Sequence, residues 1–367
     1  MVCPCADGGL RMLLPAPFVY LLLLLLFPVA AHADDLLSIG DEAPPLHIAG
    51  WVSSPPAAEQ EKQVSLILFW ATWSPESRQA LGYINSLPVL SEQKNIRVLA
   101  LSGEPCGRVR TYLKKHSDDY PHLAFACDNR QETRTAYAFN AGEVDLPVAV
   151  IVDGENRVAW IGHPLDGLQQ ALTHILDHDW DLKVNRHARD LLLEARQAAA
   201  DENMQELLKT TEELTWISDV YASFGVYHYT LLAGEDRSAE ALQFGNKLVS
   251  RYPTRPDVLR ALAAFIVKQE KHAPGELDLA LSAAEKAASQ VPDDDLSMIQ
   301  LLAEVHFARK EYAAAVELQE KLCELAENRL PRSEADKCRK TLSRYRRVRA
   351  RAEKEESRNV APGGDDG

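Results

Sequence analysis

The chain has 367 residues, which at roughly 150 residues per domain predicts two or three domains. Hydrophobic residues make up 46% of it and charged residues 26%, so it has enough apolar material for packed cores, which indicates a globular protein. Its formal net charge of -14 at pH 7 opposes binding to nucleic acid, and the basic run at 344–351 is interpreted as a solvated helix face.

Residues 1–33 have the features of a secretory signal peptide. Arg11 precedes the apolar stretch FVYLLLLLLF at 18–27, and the Ala-His-Ala sequence that ends at Ala33 matches the small-residue rule for cleavage. The apolar stretch is too short to span a bilayer comfortably. We therefore predict an exported mature chain that begins at Asp34 and has no stable membrane span. An uncleaved signal anchor is the alternative.

Residues 34–180 alternate between apolar runs and helical patterns, after a proline-rich leading segment. The apolar runs predict strands, and the segments between them predict helices. The strands are predicted at 63–70, 97–102, 122–127, 147–152 and 157–162, and the main helices at 75–87, 107–116 and 165–177. Short apolar runs separated by helices indicate a mostly parallel sheet, and the Asp153-Gly154 turn adds an antiparallel hairpin at its edge.

Strand signals stop near Trp180, and residues 181–353 are predicted to be helical. Small and apolar residues recur in three aligned copies, which are Ala241, Leu248 and Pro253, then Ala280, Ala287 and Pro292, then Ala315 and Leu322. The copies begin 39 and then 35 residues apart, close to the 34 of tetratricopeptide repeats, although Ala-rich helices could imitate this pattern by chance. We predict a tetratricopeptide-like array that helices within 181–230 join to the first domain, and a disordered tail at 354–367.

Residues 38–180 resemble the thioredoxin-fold family, in particular its exported TlpA/ResA-type branch. The resemblance rests on FWATWSPES at 69–77, on the extra helix and strand at 107–127, on Leu146-Pro147 before the late strand, and on VDGENRVAWIGH at 152–163. It implies a thioredoxin-like α/β domain, a cis peptide bond before Pro147 and a location in a bacterial periplasm.

The family carries a C-x-x-C pair where a helix begins, because the helix N-terminus stabilises a thiolate. This chain has Ser74 and Ser77 at those two positions. A hydroxyl has no comparable disulfide couple, so we predict that the exchange step is lost, and no catalytic residue is assigned. Ser74 is instead predicted to cap a helix that has Pro75 at its first position. A nucleophilic Ser74 would need a base, for which His163 is the one candidate.

A binding surface could survive the loss of both sulfurs. The resemblance implies a groove between two segments: the turn that carries Ser74 and Ser77 (the serine turn) and the loop that carries Leu146 and Pro147 (the Leu146-Pro147 loop). In the family, this groove holds an extended peptide, partly by backbone hydrogen bonds. The predicted groove residues are Trp73, Pro75, Leu146 and Pro147. Trp70 could add to this apolar surface but is interpreted mainly as core.

Four cysteines remain after the signal is removed, in a compartment that permits disulfides. Cys106 and Cys127 lie near the ends of two strands that are predicted to be neighbours, so a disulfide between them is sterically reasonable. A functional redox pair is the alternative, since a helix start could lower the pKa of Cys106. Cys323 and Cys338 flank the turn of a predicted helical hairpin and form the second predicted bridge.

His174 and His178 stand four apart on a predicted helix, as in some metal sites, but no third ligand is identifiable. No metal or cofactor is therefore predicted. The leading hypothesis is an exported protein that is not an enzyme and binds protein or peptide partners, as an adaptor or chaperone in envelope protein maturation. The alternatives are a thiol–disulfide oxidoreductase that uses Cys106 and Cys127, and a structural envelope subunit.

Overall fold

The computed structural model describes residues 37–55, 62–92, 95–116, 119–128 and 130–360, with side chains up to residue 355. The predicted signal peptide and the segment 361–367 lie outside the described residues. The described chain forms two compact units, one up to Phe224 and one from Gly225 onward. An α/β unit is followed by a helical unit, which confirms the predicted order of fold classes.

The first unit is built on a six-stranded mixed sheet. Its strands are β1 (Gly50–Trp51), β2 (Val64–Trp70), β3 (Ile96–Ser102), β4 (Ala124–Cys127), β5 (Val148–Val152) and β6 (Val158–Gly162). They are ordered β1-β4-β3-β2-β5-β6 across the sheet. Strands β2, β3 and β4 are parallel, whereas β1, β5 and β6 each run antiparallel to the neighbour they pair with. The five predicted strands are present, and β1 is an addition.

Seven α-helices lie wholly within the described part of the first unit. They are α1 (Pro75–Asn85), α2 (Pro88–Glu92), α3 (Cys106–Leu113), α4 (Glu132–Tyr137), α5 (Leu168–Leu176), α6 (Leu182–Ala200) and α7 (Met204–Ile217). All seven residues of β2 are buried, as expected for a central strand covered on both faces. On one face Phe69, Tyr137 and Ile161 belong to a single apolar cluster.

The direction of β5 differs from the prediction of a mostly parallel sheet. β5 runs antiparallel to β2 and not only to β6. Between β4 and β5 the chain forms α4, which has six residues and rises about 9 Å, and then a single 3-10 turn at Phe139–Ala141. The chain re-enters the sheet at the edge where β4 ended, with Val148 beside Phe69 near the end of β2.

Helices α6 and α7 lie in the same compact unit as the sheet. They pack against each other, and α6 also contacts β6. The indole Nε1 of Trp180 donates to the carbonyl oxygen of Ala159 at 3.0 Å. The Asp181 carboxylate caps α6 by accepting from the Lys183 backbone N–H at 2.8 Å. These contacts attach the start of α6 to β6, the strand at the edge of the sheet.

The second unit consists of helices in its described residues. After α8 (Ser223–Gly234), which begins in the first unit, they are α9 (Ser238–Arg251), α10 (Pro256–Val267), α11 (Glu276–Ala288), α12 (Leu296–Ala308), α13 (Tyr312–Arg329) and α14 (Arg332–Val360). The three repeated alanines, Ala241, Ala280 and Ala315, are fully buried. Small residues thus occupy packed positions, and a tetratricopeptide-like arrangement stays a prediction.

Helix α14 continues to Val360, into the segment that was predicted to be disordered from residue 354. Ala, Glu, Lys and Arg at 350–355 favour a helix, and Arg349 pairs with Glu353 one turn later at 2.7 Å. No Gly or Pro interrupts the chain before Pro362. Among the described residues, no helix is both long enough and apolar enough to cross a membrane.

The predicted bridge between Cys323 and Cys338 is not formed, and both residues are free thiols. The amide Nε2 of Gln319 lies 4.0 Å from the Cys323 sulfur and 3.3 Å from the Cys338 carbonyl oxygen, so the two cysteines do face one hairpin interface. Burial raises the pKa of each thiol. Both thiols are therefore protonated near neutral pH, which makes them poor nucleophiles for forming the bridge.

Candidate functional site

The serine turn and the Leu146-Pro147 peptide meet at one edge of the sheet. Phe69, near the end of β2, pairs with Val148 at the start of β5. The residues that follow Trp70 therefore lie beside the residues that precede Val148. The Leu146-Pro147 bond is cis, as the resemblance implies.

The hydroxyls of Ser74 and Ser77 are committed to holding the start of α1. Ser74 is 2% exposed, and its Oγ accepts from the Ser77 backbone N–H at 3.0 Å and donates to the Glu76 carboxylate at 3.0 Å. Ser77 is fully buried, and its Oγ accepts from the Ala71 backbone N–H at 3.2 Å. This is an N-cap with Pro75 at the first helical position. Neither hydroxyl is presented to solvent as a nucleophile.

The turn that carries Trp73 is also held by a carboxylate from the loop that follows the neighbouring strand β3. Glu104 accepts from the Thr72 backbone N–H at 2.6 Å and from the Thr72 hydroxyl at 2.9 Å. On the other side, Arg78 donates to the Thr72 carbonyl oxygen at 2.9 Å. Glu104 is not among the residues predicted from the sequence, although a carboxylate two residues beyond Ser102 is expected near the turn because parallel β2 and β3 end at the same edge.

The predicted groove residues differ in exposure. Trp73 is 68% exposed, Pro75 is exposed, Leu146 is half-buried and Pro147 is buried. Trp70 is 1% exposed and makes ring contacts with Tyr112 and Phe125 at centroid distances of 5.6 and 5.7 Å, so it belongs to the core. Val144, which the sequence analysis did not select, is 53% exposed in the loop before Pro147.

A buried ionic cluster anchors that loop to α6. The Glu143 carboxylate accepts from Arg189 at 2.7 Å and from Arg196 at 3.0 and 3.1 Å. Arg189 also donates to the Ala141 carbonyl oxygen, and all three charged residues are 4% exposed or less. The signal was present in the sequence, since Arg189 and Arg196 stand seven residues apart on the apolar face of α6.

Electrostatics favour the charged form of Glu143. Burial alone would raise the pKa of its carboxyl, but the positive charges of Arg196 and Arg189, with their hydrogen bonds, outweigh burial and hold that pKa below its usual range. Glu143 is therefore ionised at neutral pH.

His163 lies at the same edge, in the loop after β6, and is 7% exposed. Its Nδ1 accepts from the Leu165 backbone N–H at 3.3 Å. Burial lowers the pKa of its imidazole to about 4, against a smaller opposing effect of Glu143 and Glu76. The ring is neutral near pH 7, and the Ser74 hydroxyl donates its proton to Glu76.

We expect His163 to titrate near pH 4 in the folded protein, which ring-proton NMR can measure. The unfolded chain takes up this proton near pH 6.5, so stability is lost as the pH falls from about 6.5 to about 4. The difference corresponds to about 3 kcal/mol at most. A His163→Gln variant should lose this part of the acid dependence, and an observed ring pKa above 6 would contradict the assignment.

The predicted disulfide between Cys106 and Cys127 is formed. Cys106 is the first residue of α3 and Cys127 the last of β4. Cys127 is fully buried with its sulfur 3.2 Å from the Gly50 carbonyl oxygen, whereas Cys106 is half-buried. The disulfide therefore stands at the carboxyl edge of the parallel strands, the edge at which the serine turn lies.

The two histidines of the candidate metal pair, His174 and His178, do not share a helix face. Helix α5 ends at Leu176, and His178 lies beyond it with a φ of 60°. His174 contacts Asp179 at 2.9 Å and Asp219 at 3.0 Å. No group of three or more His, Cys, Asp or Glu side chains in the described part of the chain is arranged to hold a metal ion.

Comparisons with known proteins give structural similarities only. No family model matches the chain, and no curated protein matches it. A candidate thiol:disulfide interchange protein DsbE from Chlorobium tepidum is 21% identical, with 40% of this chain and 99% of that one covered and a TM-score of 0.32.

Two further solved structures are similar. A candidate protein disulfide isomerase from Bacteroides thetaiotaomicron is 16% identical over 38% of this chain and 91% of its own, with a TM-score of 0.33. A candidate thioredoxin from Neisseria meningitidis is 23% identical over 34% of this chain and 79% of its own, with a TM-score of 0.27. Each similarity covers two fifths of this chain or less.

Proposed function

We propose that the first unit binds an extended segment of another protein in the groove between the serine turn and the Leu146-Pro147 loop, and that it does so without redox chemistry at the serines. The observation that carries the proposal is the contrast within one turn. Trp73 is 68% exposed, while Ser74 and Ser77 on either side of Pro75 and Glu76 are buried and hydrogen-bonded.

The exposed side chains suit an apolar segment of a partner. A large exposed aromatic side chain gains free energy when a partner covers it. Val144 is exposed in the loop on the other side of the groove. Both borders of the groove are held in place, the turn by Glu104 and the loop by the cluster of Glu143 with Arg189. A preformed surface loses less entropy when it binds.

The wider setting of this binding is part of the same proposal. An exported protein with one unit that holds an extended segment and a second, helical unit of tetratricopeptide-like type would act as an adaptor or chaperone in envelope protein maturation. Helical arrays of that type offer concave surfaces to partners. The partner is therefore proposed to be a protein or peptide and not a small substrate.

Replacing Trp73 tests the proposal directly. We expect Trp73→Ala to weaken binding of a fluorescently labelled α-lactalbumin, reduced and alkylated with iodoacetamide so that it stays unfolded, by at least about tenfold. Fluorescence anisotropy with the mature chain measures the affinity.

Val184→Ala is the matched control, since Val184 is also an exposed apolar side chain of the first unit, at 42% exposure on α6. Its affinity should stay within about twofold of that of the unmodified chain. Equal weakening by both substitutions, or no binding by the unmodified chain, would contradict the groove as the binding site.

A second candidate function is thiol–disulfide exchange at Cys106 and Cys127. It is favoured by the half-buried position of Cys106 at the start of α3, where a helix N-terminus stabilises a thiolate. Turnover of insulin disulfides by the mature chain, lost in Cys106→Ser, would support this function over binding alone.

A further inference from the structure

The disulfide and the serine turn are connected through a short loop. Ser102 at the end of β3 pairs with Cys127 in the sheet, and Cys106 is bonded to the same Cys127. The segment 102–106 is therefore held at both of its ends against one residue. Glu104 lies in the middle of this loop and reaches out to Thr72.

Glu104 depends on the loop for its position. Its side chain is 9% exposed, and its hydrogen bonds to the Thr72 backbone N–H and hydroxyl are 2.6 and 2.9 Å long. Its own backbone N–H donates to the Ser102 hydroxyl at 3.3 Å. Arg108 approaches the carboxylate at 3.4 Å from the exposed side. A shift of the loop would remove the acceptor that the Thr72 N–H uses.

The disulfide is the covalent tether of the first turn of α3. This helix begins at Cys106 after Pro105, and no side chain caps it. Its buried residues, Val109 and Leu113, lie one and two turns further along. Without the bond to Cys127, the first turn would have neither a cap nor a cross-link, and helix ends of that kind fray.

Cys106 is the more exposed of the two bonded residues. Cys106 is half-buried and Cys127 is fully buried, so a thiolate would attack the Cys106 sulfur. The bond to Cys127 breaks, and Cys127 leaves as a thiolate that takes up a proton. The second thiol of the reductant then attacks the mixed disulfide, and Cys106 leaves as a thiolate. Two electrons pass to the protein, and the dithiol becomes a disulfide.

We propose that the Cys106–Cys127 disulfide controls the groove. In the oxidised form, Glu104 stays hydrogen-bonded to Thr72 in the serine turn, and the groove binds its partner. Reduction by a dithiol releases the 102–106 loop, loosens the serine turn and weakens binding. The effect on binding rests on the proposed function, but the effect on the turn does not.

Hydrogen–deuterium exchange on the full mature chain tests the effect on the turn. The protein is compared as purified and after treatment with dithiothreitol, with the number of free thiols counted by alkylation and mass spectrometry. We expect amides within 71–78 to exchange at least about tenfold faster after reduction, while amides of β5 and α5 change by less than about threefold. Glu104→Gln in the oxidised protein should reproduce the change at 71–78.

Two results would overturn the proposal. One is unchanged exchange at 71–78 although Cys106 and Cys127 are both alkylated. The other is a uniform increase that includes β5, which would make the disulfide a general stabiliser of the unit.

Anisotropy with the unfolded, alkylated α-lactalbumin separates this proposal from the proposed function. Binding by the oxidised chain that weakens about tenfold on reduction supports both. Loosening of the turn without binding in either redox state contradicts the proposed function and leaves the control of the turn standing. Equal binding in both states contradicts the control of binding and leaves the groove standing.

Discussion

Replacing Glu143 with Gln is expected to destabilise the first unit by about 3–5 kcal/mol, the usual effect of removing one partner from a buried ion pair. The substitution leaves the charged side chains of Arg189 and Arg196 buried next to a neutral amide. The free-energy cost of removing both guanidinium groups from water remains, but their attraction to the Glu143 carboxylate is lost. Urea unfolding followed by circular dichroism measures the loss.

The acid dependence of stability should change in the same variant. The pKa of Glu143 in the folded protein lies below its unfolded value near 4.3, so its contribution is complete above that pH and is lost as the pH falls through the lower, folded pKa. Glu143→Gln removes this contribution at every pH. Its stability should therefore fall less steeply below about pH 4 than that of the unmodified protein.

Glu155→Gln is the control for the Glu143 substitution. Glu155 pairs with Arg157 at 2.7 Å, but its side chain is 65% exposed. An exposed pair contributes about 0–1 kcal/mol, so this substitution should have little effect. Equal effects of Glu143→Gln and Glu155→Gln would show that the buried cluster does not hold the loop.

Introducing cysteines at both serine positions is expected to create disulfide-exchange activity at this turn. In the double variant Ser74→Cys with Ser77→Cys, the sulfur of residue 74 takes the N-cap position of α1. In the natural chain, the backbone N–H of Ser77 donates to the Ser74 hydroxyl at this position, at 3.0 Å. The same N–H and the N-terminus of α1 would stabilise a thiolate there. Reduction of insulin disulfides by dithiothreitol should be at least about tenfold faster than with the unmodified chain.

The single variant Ser77→Cys is the control for this gain. It carries a thiol in a fully buried position and has no partner at residue 74, so its rate should equal that of the unmodified chain. A folded double variant with no gain in rate would mean that this turn does not support disulfide exchange, and the resemblance would then extend to the fold alone.

The sequence predicts the parts of the fold that local patterns determine. Strand β2 is a continuous apolar run, and the cap at Ser74 follows from the adjacent Pro75 and Glu76. The burial of Ala241, Ala280 and Ala315 likewise follows from their spacing. The first two features depend on residues that are close together in the chain, and the third depends on a pattern that recurs along it.

The rest depends on contacts between residues that are distant in sequence. Glu143 meets Arg189 and Arg196 across 46 and 53 residues, and Glu104 meets Thr72 across 32. A local pattern places Arg189 and Arg196 on the apolar face of α6 and Glu104 just beyond the end of β3, but it does not identify the partner of either. The antiparallel direction of β5 depends on the path of the whole segment between β4 and β5, which the apolar run itself does not encode.

The central claim is that the groove between the serine turn and the Leu146-Pro147 loop binds an extended segment of another protein. Its most direct test is an amide NMR titration of the isotope-labelled mature protein with the unfolded, alkylated α-lactalbumin. We predict that the resonances that shift or broaden cluster at residues 71–77 and 144–148. Changes confined to the helices after Gly225, or no change at saturating probe, would contradict the claim.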